Sequence, residues 1–106
     1  MSDEIDQLVQ RARDGDEAAF VALYGAYATP IYRFFSFRVA GRELAEDLTQ
    51  QVFVKMIEQL PSYRPQGAPF AAWVFRIARN IWIDQHRTSH PAAPLESLPE
   101  SADGEP

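Results

Sequence analysis

The stretch "AAWVFRIARNIWIDQHR", Ala71 to Arg87, decides how this chain is read. Two tryptophans, a phenylalanine and three isoleucines suit a buried helix, yet Arg76, Arg79, Asn80 and Arg87 interrupt them at helical intervals. On a 3.6-residue wheel, Phe70, Val74, Ile77 and Ile81 share one side and form the expected core stripe. Asn80, Ile83 and Arg87 fall within about 40° of Arg76 on the opposite side. Phe75, Arg79, Trp82 and His86 run down one flank, and Trp73 and Asp84 border the other. An ordinary solvated face would be rich in Glu and Lys, and this one is arginine, asparagine and aromatic. Such a mixture suits single-stranded nucleic acid: arginines neutralise phosphates, aromatic faces stack bases, and an amide reads a base edge. The competing reading packs Trp82 and Phe75 against a neighbouring helix and pairs the arginines with acids. The wheel leaves both open.

Upstream of this helix, "PSYRPQGAP" holds three prolines and a glycine in nine residues, a loop by composition. Pro69 suits the first helical turn, where its missing N–H costs nothing. Before the loop, Arg42 to about Leu60 reads as a third helix with Ala45, Leu48, Val52, Phe53, Met56 and Leu60 inward. Opposite that stripe, Asp47, Gln50, Gln51, Val54 and Glu58 lie within about 100° of one another. This face is polar and acidic around one exposed valine. It is either a solvated surface or a docking face for a partner with basic residues, with Val54 as a small apolar anchor.

Two helices precede it. Ile5, Leu8, Val9 and Ala12 follow an i, i+3, i+4, i+7 pattern that stops near Gly15. Asp16 is placed to cap a second helix whose stripe is Phe20, Tyr24, Tyr27, Ile31 and Phe34. Pro30 removes a hydrogen bond inside it, and because the stripe continues in phase a kink is expected rather than a break. Gly41 is expected to end that element. No strand pattern and no internal repeat occur. The fold class expected is all-α, a compact bundle of about four helices over residues 1–88, with the second kinked near Pro30. Residues 89–106, rich in Pro, Ser and acids, read as a disordered acidic C-terminal tail or linker.

Composition narrows the function. The chain has 106 residues, 46% of them apolar, no cysteine and no apolar run long enough for a bilayer. A disulfide scaffold and thiolate zinc sites are excluded, and a cytoplasmic location with no membrane association is expected. The acidic start "MSDEIDQLVQ" is no signal peptide. A net charge of −5 argues against a generic nucleic-acid binder, but the charge is uneven. Residues 1–20 hold six acids against two arginines, and residues 88–106 hold four acids and no Lys or Arg. Residues 30–87 hold eight bases against five acids. The middle of the chain is basic, and the terminal acids hide it.

The blocks "DGDEAAFVALYGAY", "AEDLTQQVFVKM" and "PFAAWVFRIARNIWIDQHR" follow one another at a spacing that resembles region 2 of bacterial sigma factors. The pattern is most similar to the extracytoplasmic-function (ECF) group of the sigma-70 family, over about Asp14 to Arg87. The resemblance implies a helical domain that brings core RNA polymerase to a promoter and melts the −10 element, with no enzymatic step and no cofactor. It implies that the "AEDLTQ" helix docks on the coiled coil of the polymerase β′ subunit through Asp47, Gln50, Gln51, Val54 and Glu58. It implies that the last helix and the "SYRPQG" loop take the non-template single strand of −10 DNA. That assigns DNA contact to Tyr63, Arg64, Trp73, Arg76, Arg79, Asn80, Ile83 and Arg87, with a flipped base entering a pocket near the loop. An anti-sigma factor is a further expected partner, and a monomer is the expected isolated state. Three positions depart from the family pattern: Gln51 stands where Glu is usual, Arg87 replaces several arginines, and Trp82 occupies a site often filled by a small residue. The helix-turn-helix domain that reads the −35 element in the family is expected beyond the acidic linker and is absent from this sequence.

A second reading keeps the fold and the docking face without opening DNA. An enzyme reading rests on His86 and His90, four residues apart with Asp84 nearby, and lacks a third metal ligand and a nucleophile–base pair.

Overall fold

The end of the first helix is tied to the start of the second by a single aspartate. Asp16 accepts a hydrogen bond from the Ala19 amide at 3.2 Å, satisfying a donor that the first helical turn leaves unpaired, and a second from Arg11 Nε at 3.0 Å. The Arg11 contact first, and the Ala19 amide next, hold the Asp16 carboxyl below the ordinary aspartate range. The computed structural model describes residues 2–89; of the tail expected over 89–106, Ser89 ends the last helix and residues 90–106 lie outside the described residues.

Four helices follow in order: α1 (Ser2–Arg13), α2 (Glu17–Ser36), α3 (Arg42–Gln59) and α4 (Phe70–Ser89). A short 3-10 turn, Leu60–Ser62, closes α3 and takes up the first two residues of the proline-rich segment. No strand occurs among the described residues, and the architecture is the all-α bundle expected from the periodicity. The α1, α3 and α4 helices all pack on α2, and α3 also packs on α4.

All six inward positions expected on α3 are buried, and so are Phe70, Val74, Ile77 and Ile81 of α4. Thr49 joins them, its hydroxyl donating to the Ala45 carbonyl at 2.7 Å, so this buried polar group is satisfied. Each fully buried Leu, Ile, Val or Phe contributes about 1.5–3 kcal/mol relative to exposure.

The α2 helix differs from expectation. Its buried residues are Ala19, Leu23, Ile31 and Phe35, while Phe20, Tyr27 and Phe34 are half-buried and Tyr24 is exposed. A helix touched by three others has no single apolar stripe. Their combined contacts turn Leu23 and Phe35 inward and leave Tyr24 at the edge, its ring 4.6 Å from that of Phe53. Through Pro30 the helix is continuous, and the proline is solvent-exposed.

Gly41 does not end α2. That helix stops at Ser36 with Phe37 as its cap, and Gly41 is the N-cap of α3, at φ 100°. Such a φ is open to glycine and strained for other residues, which is why a glycine rather than a hydroxyl cap opens this helix. Pro69 sits just outside α4 rather than within it, its carbonyl accepting from the Ala72 amide at 2.9 Å.

Candidate nucleic-acid and partner interfaces

The α4 helix presents its basic face as the wheel implied. Arg76, Arg79, Asn80 and Arg87 are exposed, and Ile83 is half-buried beside them. Arg87 lies 4.0 Å from Asp84, an exposed pair with little holding power. Arg76 and Arg79 make no ion pair among the described residues, so no described acid neutralises their charge. The alternative that pairs these arginines with acids therefore does not hold for the two at the centre of the face.

The aromatics divide. Phe75 packs against Phe34 with ring centroids 6.0 Å apart, as the packing alternative required. Trp82 is half-buried against the core, and His86 stacks on it at 5.4 Å and 25°. Phe75 and Trp82 therefore serve packing. Trp73 lies at the other end of the helix in a cluster with Tyr63 and Phe70, at centroid distances of 4.8 and 5.2 Å. Tyr63 is also edge-on to Phe70 at 5.3 Å. That cluster ties the loop to the start of α4.

The loop leaves the 3-10 turn at Ser62 and bends at Gly67, whose φ of 87° again favours glycine. Arg64 donates to the carbonyls of Pro61 and Tyr63 at 3.1 and 2.8 Å, which fixes the guanidinium while leaving its charge without an acidic partner among the described residues. A pocket of about 350 Å³ opens between loop and helix, lined by Tyr63, Arg64, Gln66, Trp73 and Arg76 among others. It combines an aromatic wall, an amide and two guanidinium groups, the groups a flat polar ring would need for stacking and edge contacts. Tyr63, Arg64, Trp73 and Arg76 are thus brought together. Arg79, Asn80, Ile83 and Arg87 continue along α4 away from the pocket.

On α3, Asp47, Gln50, Gln51, Val54 and Glu58 are exposed except where they touch one another or α2. Gln51 donates to the Asp47 carboxylate at 3.1 Å, and Gln50 donates to the Tyr24 hydroxyl at 3.3 Å. Val54 is 53% exposed, and Ile57 nearly one turn on is similarly open, an apolar neighbour outside the face drawn on the wheel. Beside this face a groove of about 680 Å³ runs between α2 and α3, bounded by Tyr24, Tyr32, Glu43, Glu46, Asp47 and Gln50. Glu43 and Glu46 share an i, i+3, i+4, i+7 row with Asp47 and Gln50, a signal present in the sequence. The two tyrosines carry no comparable signal, because α2 must be oriented before their side is known.

No described helix is long and apolar enough to cross a membrane. No group of three or more His, Cys, Asp or Glu is placed to hold a metal ion among the described residues, and His90 lies outside them.

A family model for sigma-70 region 2 matches residues 23–90, which include most of α2, all of α3, the loop and α4. The chain belongs to the sigma-70 family, within its ECF group. Among its relatives, the ECF RNA polymerase sigma factor BldN of Streptomyces coelicolor is 39% identical over 83 residues, covering 78% of this chain and 31% of BldN. The ECF RNA polymerase sigma factor SigD of Mycobacterium tuberculosis is 34% identical over 112 residues, covering 98% of this chain and 53% of SigD. A chain in the solved structure of the RsbN–BldN complex superposes with a TM-score of 0.70 at 38% identity, covering 76% of this chain and 58% of that one. This ECF domain therefore spans between about a third and half of the length of these two curated relatives.

Proposed function

We propose that this domain docks on core RNA polymerase through α3 and takes the non-template strand of the promoter −10 element on α4 and the preceding loop. The observation that carries the DNA half is the exposed row of Arg76, Arg79 and Asn80, without acidic partners among the described residues, leading to the pocket of Tyr63, Arg64 and Trp73. Opening a duplex requires unstacking and unpairing bases, at a cost of a few kcal/mol that stacking and pocket contacts offset. No covalent step is involved. A flipped base fits the loop pocket, while Arg79, Asn80 and Arg87 follow the strand along the helix.

The docking half rests on Asp47, Gln50, Gln51, Val54 and Glu58, an acidic face around an apolar anchor suited to the β′ coiled coil. The groove residues Glu43 and Glu46 extend its negative potential. The domain is proposed to act in the cytoplasm as a monomer. The relative BldN is found in complex with RsbN, and a protein partner on the same fold is proposed for this chain too, an anti-sigma factor by family resemblance.

The test is fluorescence anisotropy of the chain with labelled single-stranded and duplex DNA of one −10-like sequence, with and without the β′ coiled-coil fragment. Preference for the single strand, strengthened by the fragment and weakened by Asn80→Ala, is the expected result. Asp47→Ala is expected to weaken the fragment's binding without lowering the melting temperature, and unchanged binding would move the docking face elsewhere. Fragment binding with no DNA preference would support a docking module that does not open promoters. The lone Arg87 and the four acids that follow it favour that second reading.

A further inference from the structure

The corner between α2 and α3 carries an aromatic ring that the fold does not use. Phe37, the cap of α2, is 83% exposed, the most open of the large apolar side chains among the described residues, and it does not pack on the core. Arg33 in the last turn of α2, Arg38 in the connection and Arg42 at the start of α3 surround it in sequence, and all three are exposed. None of them makes an ion pair among the described residues. The acids that follow, Glu43 and Glu46, line the groove between α2 and α3 instead.

Arg38 has a local task. Its Nη1 donates to the Phe34 carbonyl at 2.9 Å, one of the acceptors that the end of α2 leaves unpaired, and its guanidinium lies 3.8 Å over the Phe34 ring. Arg33 and Arg42 have no such bond among the described residues. A basic rim around an exposed aromatic suits an acidic segment with apolar anchors. This chain contains one. Residues 90–106 hold Glu96, Glu100, Asp103 and Glu105, no Lys or Arg, and two leucines, Leu95 and Leu98, beside the first of these acids.

The path of α4 brings that segment within reach. Tyr27 meets Phe70 and Phe34 meets Phe75, at centroid distances of 5.9 and 6.0 Å, so α2 and α4 run in the same direction. Four residues beyond the second contact, Arg38 and Arg79 stand at the same level. From Arg79 to Ser89 the helix advances about 15 Å. The six residues from Ser89 to Leu95 span up to about 20 Å, enough for the chain to turn back to the corner. We infer that segment 90–106 docks there, with Leu95 and Leu98 on Phe37 and the acids on Arg33, Arg38 and Arg42. The short tether holds the effective concentration near about millimolar, so a small contact suffices. Docking lays the acids beside Arg79 and gives that side of α4 a cover that any ligand must displace. It does not depend on what α4 binds.

The experiment uses the full chain labelled with nitrogen-15 and carrying a nitroxide on Ser101→Cys, a unique attachment point because the chain has no cysteine. Amide signals of residues 37–42 should be attenuated, and those of residues 14–17, at the other end of α2 and about 30 Å away, should not. Leu95→Ser with Leu98→Ser should abolish the attenuation, and so should Phe37→Ser, a change at an exposed site that leaves the core intact. Arg42→Glu should weaken it, and adding Glu96→Arg and Glu100→Arg should restore it. No attenuation at residues 37–42 overturns the inference. Attenuation spread along the arginine face of α4 and indifferent to the leucines also overturns it, since that pattern is charge screening without a docked state. Attenuation that appears equally when the nitroxide is on one copy and the nitrogen-15 on another overturns it in favour of association between copies.

Discussion

Salt dependence of single-strand binding offers a direct count of the cations at work. Arg64, Arg76 and Arg79 are exposed and without acidic partners among the described residues, and they set the count, because Asp84 at 4.0 Å offsets the charge that Arg87 brings to the strand. Each phosphate neutralised on a single strand contributes a slope of about −0.7 to log K against log salt. Three contacts give a slope of about −2.1, so raising salt from about 50 to 200 mM should weaken binding about twentyfold. Arg76→Gln removes one contact, which should bring the slope to about −1.4 and the same salt change to about sevenfold. Affinity at one salt concentration cannot separate a lost phosphate contact from a disturbed pocket, and the slope can. The assay is anisotropy with a labelled −10-like single strand at four or more salt concentrations, the β′ fragment held saturating. An Arg76→Gln slope equal to that of the parent would falsify the placement of the strand's backbone along this face, even if the affinity fell.

Other expectations concern stability and charge. Leu48 is fully enclosed at the centre of α3, so Leu48→Ala should cost about 2–5 kcal/mol and lower the melting temperature by about 10 °C or more; a shift of a degree or two would mean that the core is not packed as described. The Asp16 carboxyl is depressed in the folded state, so its contribution is present above the ordinary aspartate range and is lost as pH falls through the lower folded value. Asp16→Asn should therefore trail the parent in thermal melts above about pH 4, with the gap closing on further acidification; a gap independent of pH would contradict the Arg11–Asp16 link. Segment 90–106 carries four acids and no Lys or Arg, so truncation after Ser89 should strengthen DNA binding at low salt and do little at high salt. Equal affinity at low salt would show that the segment does not screen α4.

The core faces of α3 and α4, the Asp16 cap, the loop and the exposed arginine row are legible in the amino-acid sequence. Each is local, depending on residues one to four positions apart and on backbone geometry common to all helices. The side of α2 that faces inward is not legible in this way. The helix touches α1, α3 and α4 and is apolar on several sides, so periodicity does not separate Leu23 and Phe35 from Tyr24 and Phe34. The turn after α2 departs from expectation for a related reason: a glycine at positive φ can close one helix or open the next, and only the chain's path across the bundle assigns Gly41 to α3.

An all-α domain with a basic, arginine-rich outer face is already written in the order of the amino acids, because helical periodicity places charge and apolar surface without reference to distant residues. Tertiary structure decided which aromatics remain available and where the polar residues of α1 are gathered. Phe75 and Trp82 are committed to packing, Trp73 and Tyr63 wall the loop pocket, and Asp6 and Arg13 of the first helix meet Tyr63 of the loop. Such meetings between distant parts of the chain are set by how the helices pack on one another, and no local pattern encodes them.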